Sequence, residues 1–172
     1  MSMPSPYDII NVEMFTAGAL GEPGARVFYL QCLGDGSLVT LRCEKQQVGA
    51  LAESFVQILA DLPAQPQGPL PTELELHFPV EPAFTIGGLA LGYDEEHDRL
   101  LVLLEEIGSP EEEDRAEESA TARWVLTREQ VRAFITRAED LVSGGRPLCA
   151  LCGRAIDRDG HTCIKTNGHR PH

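Results

Sequence analysis

Three cysteines and two histidines crowd one short stretch near the end of the chain, CALCGRAIDRDGHTCIKTNGH, residues 149–169. Thiolate and imidazole donors at this density are the raw material of a metal site, and zinc is the ion they suit, taking four such ligands tetrahedrally. Cys149 and Cys152 stand two residues apart on a Cys-x-x-Cys-Gly knuckle, where Gly153 lets the backbone turn around the ion. The turn-like RDG that precedes His161 and Cys163 brings the second half back. The layout offers five donors for four positions: Cys149, Cys152, Cys163, His161 and His169. His169 is favoured as the fourth ligand because five intervening residues let it swing back from Cys163, while alternation along a strand puts His161 on the same face as Cys163 and keeps it as the competitor. Three thiolates and one imidazole close the coordination sphere and leave no open position for substrate, so the expected cofactor is one structural Zn2+ per chain.

The segment resembles zinc-ribbon proteins, with Cys149, Cys152, Gly153 and Cys163 matching the ribbon pattern and Thr166 standing where a ribbon carries its fourth cysteine. Over its full length the chain also resembles an uncharacterised family of conserved repeat proteins found mainly in actinobacteria, which end in Cys-x-x-Cys-Gly and then Gly-His-x-Cys…Asn-Gly-His; here that ending reads GHTCIKTNGH. The resemblance implies an architecture and no activity. A tail of this size, residues 146–172, cannot bury enough apolar surface to fold alone, and metal ligation would supply what the missing core does not.

Other chemistry-bearing residues are sparse. In YDEEHDR, Tyr93–Arg99, carboxylates flank His97, but the stretch lies where a hairpin turn is expected and reads as a solvated tip. Glu105 and Glu106 end an apolar run, and strand alternation would point at most one of them into a cleft. Cys32 and Cys43 sit in strand-like runs and are expected to be buried thiols acting as small hydrophobes. No phosphate-binding loop, dinucleotide fingerprint, His-Glu-x-x-His or Gly-x-Ser-x-Gly elbow is present.

The elements that must position these residues read as one unit written twice. FTAG from Phe15 and FTIG from Phe84 each open a run of strand-like segments closed by a helix containing Gln-Val-x-Ala-Leu/Phe. GDG at 34–36, between VFYLQCL and SLVTLRC, is a hairpin turn. Val48, Leu51, Phe55, Ile58, Leu59 and Leu62 recur at helical spacing, as do Val131, Phe134, Ile135, Ala138, Leu141 and Val142. Thr127 with Gln130 forms a capping box at the start of the second helix, and Gly144, Gly145 and Pro147 end it. YDIINVEMF and TELELHF, residues 7–15 and 72–78, read as a strand before each unit, with the Pro-rich linker LPAQPQGPLP between the units. The acidic SPEEEDRAEESA, residues 109–120, lengthens the second unit's hairpin as a solvated loop. The expected fold class is α+β: residues 1–145 form a duplicated body, with units at about 7–62 and 72–143 around a shared core, followed by the zinc tail at 146–172.

Charge bounds the partners. The formal net charge is -13, but Arg146, Arg154, Arg158, Lys165 and Arg170 outnumber Asp157 and Asp159 in the tail, which is +3 and leaves the rest of the chain at -16. A body this acidic repels polyanions, so nucleic acid is an unlikely partner for it and a possible one only for the tail. No apolar run is long enough for a membrane helix and no secretory signal is visible at the N-terminus, which makes the cytoplasm the expected compartment. The leading function class is a non-enzymatic binding or adaptor protein whose zinc-ordered tail docks a protein partner. A small hydrolase or transferase without a recognisable motif, and nucleic-acid recognition by the tail, are the alternatives.

Overall fold

Strand β1 (Val12–Leu20) meets β2 (Val27–Gly34) and β2 meets β3 (Ser37–Cys43) as antiparallel neighbours, after which helix α1 (Lys45–Asp61) follows in the computed structural model, which describes residues 4–22, 24–108 and 119–143. The order then recurs: β4 (Phe84–Asp94), β5 (Arg99–Glu106) and β6 (Thr121–Leu126) lead into helix α2 (Arg128–Ser143). All six strands form one mixed sheet in chain order, and with the two helices the fold is α+β. Its two antiparallel halves are joined by a short parallel contact, Leu41 opposite Phe84 and Arg42 opposite Thr85. The far edges also meet, because Ile9 bridges Trp124: the Ile9 N–H donates to the Arg123 carbonyl at 2.9 Å and the Val125 N–H to the Ile9 carbonyl at 3.1 Å.

Local chemistry explains the turns. Asp35 and Gly36 hold positive φ angles of 50° and 75°, the left-handed pair that a tight turn between right-twisted strands requires. The Asp35 carboxylate then accepts hydrogen bonds from the Asn11 side-chain amide and from the Ile10 and Asn11 backbone N–H groups, tying the turn to the approach to β1. Those donors, Asn11 Nδ2 foremost, hold the Asp35 carboxyl below the usual carboxylate range.

Both helices lie on one face of the sheet. Phe15, Leu30, Leu41, Val102 and Trp124 meet Val48, Leu51 and Phe55 of α1 and Val131, Phe134 and Ala138 of α2 in a single core. Phe15 is its centre, stacked on Phe134 at 4.4 Å between ring centroids and edge-on to Phe55 and Trp124 at 6.4 and 5.8 Å. Burying one such side chain contributes about 1.5–3 kcal/mol. The helix starts use the same device twice. Gln47 accepts the Glu44 N–H at 2.8 Å and Gln130 accepts the Thr127 N–H at 2.9 Å, each side chain capping its own first turn. Each amide then donates to a strand of the other half, Gln47 to the Ile86 carbonyl at 3.1 Å and Gln130 to the Val12 carbonyl at 2.7 Å. These two glutamines stitch helices to sheet across the junction.

Residues 72–78 are not a strand, contrary to the expectation from their alternation. β4 meets β3 at Leu41 and Arg42, and the segment, flanked by Pro71 and Pro79, lies instead across the outer face of β1 and β2, opposite the helices. Side chains substitute for a strand partner. Gln31, fully buried, accepts the His77 N–H at 2.7 Å and donates to the His77 carbonyl at 2.9 Å, reproducing the two-bond pairing of a backbone amide. Thr16 donates to the Leu74 carbonyl. Gly18 makes room for Leu76: a Cβ at Gly18 would overlap the Leu76 Cγ and both of its methyl groups.

The two Phe-Thr-x-Gly motifs occupy different places. Phe15 lies opposite Cys32 in the middle of its hairpin, whereas Phe84 opens β4 against β3, and Leu89, opposite Leu104, holds the position in β4 that Phe15 holds in β1. Most of the acidic loop, residues 109–118, and the whole tail from residue 144 lie outside the described residues.

Candidate functional site

The five expected metal donors, Cys149, Cys152, His161, Cys163 and His169, all fall in the tail outside the described residues. Among the described residues no group of His, Cys, Asp and Glu is placed to hold a metal ion, and no helix is long and apolar enough to cross a membrane. Cys32 and Cys43 are free, buried thiols. Burial, with Asp35 adding to it, pushes the Cys32 thiol far above its ordinary range, and burial beside Glu44 pushes Cys43 up to about 12, so both serve as apolar packing atoms rather than nucleophiles.

His97 stands on the turn between β4 and β5 with its side chain 67% exposed, its Nδ1 2.8 Å from Asp94 Oδ2. That contact, the His97 ring first, holds the Asp94 carboxyl below the ordinary carboxylate range. Such an exposed pair at a hairpin tip has no walls to orient a substrate or exclude water. Glu105 and Glu106 diverge as alternation requires. Glu105 lies exposed beside Gly88, and Glu106 accepts the Ala120 N–H at 3.0 Å, bracing the start of β6.

The most elaborate polar cluster involves a residue the sequence did not single out. Arg128, the first residue of α2, is only 5% exposed and donates from Nε to Asp98 Oδ1 at 2.8 Å and from Nη1 to the Pro63 carbonyl at 2.8 Å. Tyr93 donates its hydroxyl to the same Asp98 oxygen at 2.5 Å. Tyr93, aided by Arg128, holds the Asp98 carboxyl below its ordinary range. One guanidinium thus ties the end of α1, the β4–β5 turn and the start of α2 together. A cation in the first turn opposes the helix dipole, and that misplacement was the available signal.

Among the described residues, a concavity with an apolar floor lies between the helices. A groove of about 480 Å³ runs between α1 and α2, floored by Gly49, Ala52, Val56 and Val142 and rimmed by the exposed carboxylates Glu53 and Glu139. Val56 is 46% exposed, an aliphatic side chain turned away from the core stripe. Gly49 opens the floor: among the described residues a Cβ there would meet only the Val142 Cγ2, at 3.8 Å. The helices pair through Phe55 and Phe134, with ring centroids 5.8 Å apart, and Ser143, where the described part of α2 ends, lines the groove. An apolar floor with acidic lips can take up an aliphatic stripe flanked by cations.

Residues 7–163 match a family model described as a protein of unknown function (DUF3090), a span that includes Cys149, Cys152, His161 and Cys163 and stops short of His169. No curated protein and no solved structure matches the chain. With most of its length under that match, both sheet halves and both helices included, the chain belongs to the DUF3090 family.

Proposed function

We propose that the chain is a non-enzymatic binding protein that receives a basic, amphipathic segment of a protein partner in the groove between α1 and α2. The observation that carries this reading is the groove itself: an apolar floor between acidic rims Glu53 and Glu139, on a body whose charge of -16 attracts cations at a distance. Among the described residues, four buried polar side chains hold the fold: Gln31 and Thr16 bind the 72–78 segment, Gln130 binds β1 and Arg128 binds the α1 end.

Two finer readings belong to the same proposal. The body is a duplicated βββα unit, supported by the recurrence of the element order and by Gln47 and Gln130 making matching reciprocal bonds into the opposite half. The tail is a structural zinc site held by Cys149, Cys152, Cys163 and His169, with His161 as the competing fourth ligand. Three thiolates and an imidazole suit a closed tetrahedral ion, and zinc would supply the order that so short a segment cannot draw from a core.

The test is quantitative binding of a labelled Leu/Lys amphipathic helical peptide to the full chain and to Gly49→Leu, which fills the groove, with Glu53→Lys/Glu139→Lys as a second variant. Binding that weakens at least about tenfold in both variants and weakens with salt supports the site. Equal affinity for all three proteins refutes it, and binding of an RNA or DNA oligonucleotide in place of the peptide would favour recognition of nucleic acid by the tail.

A further inference from the structure

The outer face of the second half-sheet repeats a site that the first half has filled. The two halves can be aligned from their helix caps: Cys43 and Leu126 precede Glu44 and Thr127 and pair with Phe28 and Leu100. One rung further, Arg42 pairs with Tyr29 and Tyr29 with Gly18; in the second half Val125 pairs with Leu101 and Leu101 with Gly92. Gly18 and Gly92 therefore hold the same place on the outer face, the face away from the helices. Over Gly18 sits Leu76, whose Cγ fills the space a Cβ would need. At Gly92 an added Cβ would meet, among the described residues, only Leu101 of the adjacent strand, at 3.8 Å.

The next rung shows the same contrast. Thr16, Gln31 and Thr40 bind the covering segment or support its anchor, and the equivalent rung in the second half is Ala90, Leu103 and Arg123. With Leu101 and Val125, Ala90 and Leu103 leave an apolar strip around a glycine on the sheet face, bordered by the exposed Arg123. In the first half the cover is the chain that leaves α1, with Leu76 following Asp61 by 15 residues. The chain that leaves α2 after Ser143 has 29 residues, which is ample for the same path, and it carries Leu148, Leu151 and Ile156. Its net charge of +3 against a body of -16 favours its return to the body.

We infer that residues 144–172 fold back across the outer face of β4, β5 and β6 and set an aliphatic side chain over Gly92, as Leu76 is set over Gly18. The tail is the body's second strap, and this role goes beyond the helix groove, which opens on the other side of the sheet.

A photo-reactive benzophenone amino acid placed at Leu101 in the full chain tests this, with the same group at Tyr29 as the reference. Peptides are read by mass spectrometry on a mixture of light and isotope-labelled protein, which separates links within one chain from links between chains. The expected links are Tyr29 to the peptide containing Leu76 and Leu101 to a peptide of residues 146–164, both within one chain. A Leu101 link to a second copy, a link to residues 109–118, no link at all, or a Tyr29 link to any other segment overturns the inference. Gly92→Glu provides the functional arm: trypsin should cut at Arg154 and Arg158 about tenfold faster or more than in the unaltered chain, since a displaced aliphatic side chain raises the open population by that order. An unchanged cleavage rate also overturns it. Zinc content measured on the same samples reads the metal site separately, so a zinc-loaded tail that does not link to Leu101 rejects the strap alone.

Discussion

Replacing Gln31 with Leu removes a fully buried amide that makes three hydrogen bonds, two of them the paired contacts with His77 at 2.7 and 2.9 Å and the third to Thr40 Oγ1 at 3.1 Å. Thr40 Oγ1 accepts the third bond and loses its donor, and the larger loss is the His77 pair. At about 0.5–1.5 kcal/mol net per bond, the expected destabilisation is about 2 kcal/mol. The leucine does not offset this by volume, because the His77 N–H and carbonyl are left facing hydrocarbon unless the strap lifts into water. For a chain of 172 residues that is a fall in Tm of about 4–8 °C. Urea unfolding should show the same loss, and amide exchange at Leu76 and His77 should accelerate more than exchange in β5. Gln31→Glu sharpens the test. It keeps an acceptor for the His77 N–H but turns an oxygen toward the His77 and Thr40 oxygens, so the folded pKa of the introduced carboxyl is raised by burial and by that repulsion. The sign follows: the Gln31→Glu variant is best stabilised below the unfolded glutamate pKa, near 4.3, and loses stability as pH rises through its higher folded value. Gln31→Leu and Thr16→Val together should cost less than the sum of the two, since both release the same segment. A Gln31→Leu change of less than about 0.5 kcal/mol would refute the assignment of residues 72–78 as an anchored part of the fold.

Three further outcomes are expected. Gly49→Ala should stabilise the protein by about 0.5–1 kcal/mol in chemical unfolding, because Gly49 is a helix-interior glycine whose Cβ finds ordinary contact at 3.8 Å from Val142. Stability should decline as pH falls through the depressed folded pKa values of Asp35 and Asp98, because these carboxylates are held below their ordinary range and their contribution is fully present only above the unfolded value near 3.9; Asp98→Asn should flatten the acid limb of a pH titration of Tm. Elemental analysis of freshly purified protein should find about one zinc per chain and none after Cys149→Ala/Cys152→Ala, with only the true fourth-ligand variant of His161 and His169 sharing that loss.

The helices were legible because their information is local: Val48, Leu51 and Phe55, and Val131, Phe134 and Ala138, repeat at the helical period whatever surrounds them, and Thr127 with Gln130 caps the second from three residues away. The same holds for the Asp35–Gly36 turn, whose positive φ angles only a few residue types accept. The donor set Cys149, Cys152, Cys163, His161 and His169 was read the same way, from spacing along the chain. TELELHF shows where that method ends. Alternation states that a segment can be extended with two unlike faces, but it does not say whether the segment will pair at a sheet edge; β4 meets β3 at Leu41 and Arg42, and the segment lies as a strap across the sheet. Phe15 and Phe84, matched by motif, were separated by register, because strand pairing is set by partners distant in the chain. The Arg128 cluster joins residues 30 and 65 positions away in the chain, and the α1–α2 groove is lined by two helices far apart in the chain; neither leaves a periodic trace. Residue types and their local periods determined the elements, the caps and the candidate metal ligands. Competition for edges and faces among those elements, a property of the packed chain alone, decided the strap, the buried arginine and the groove.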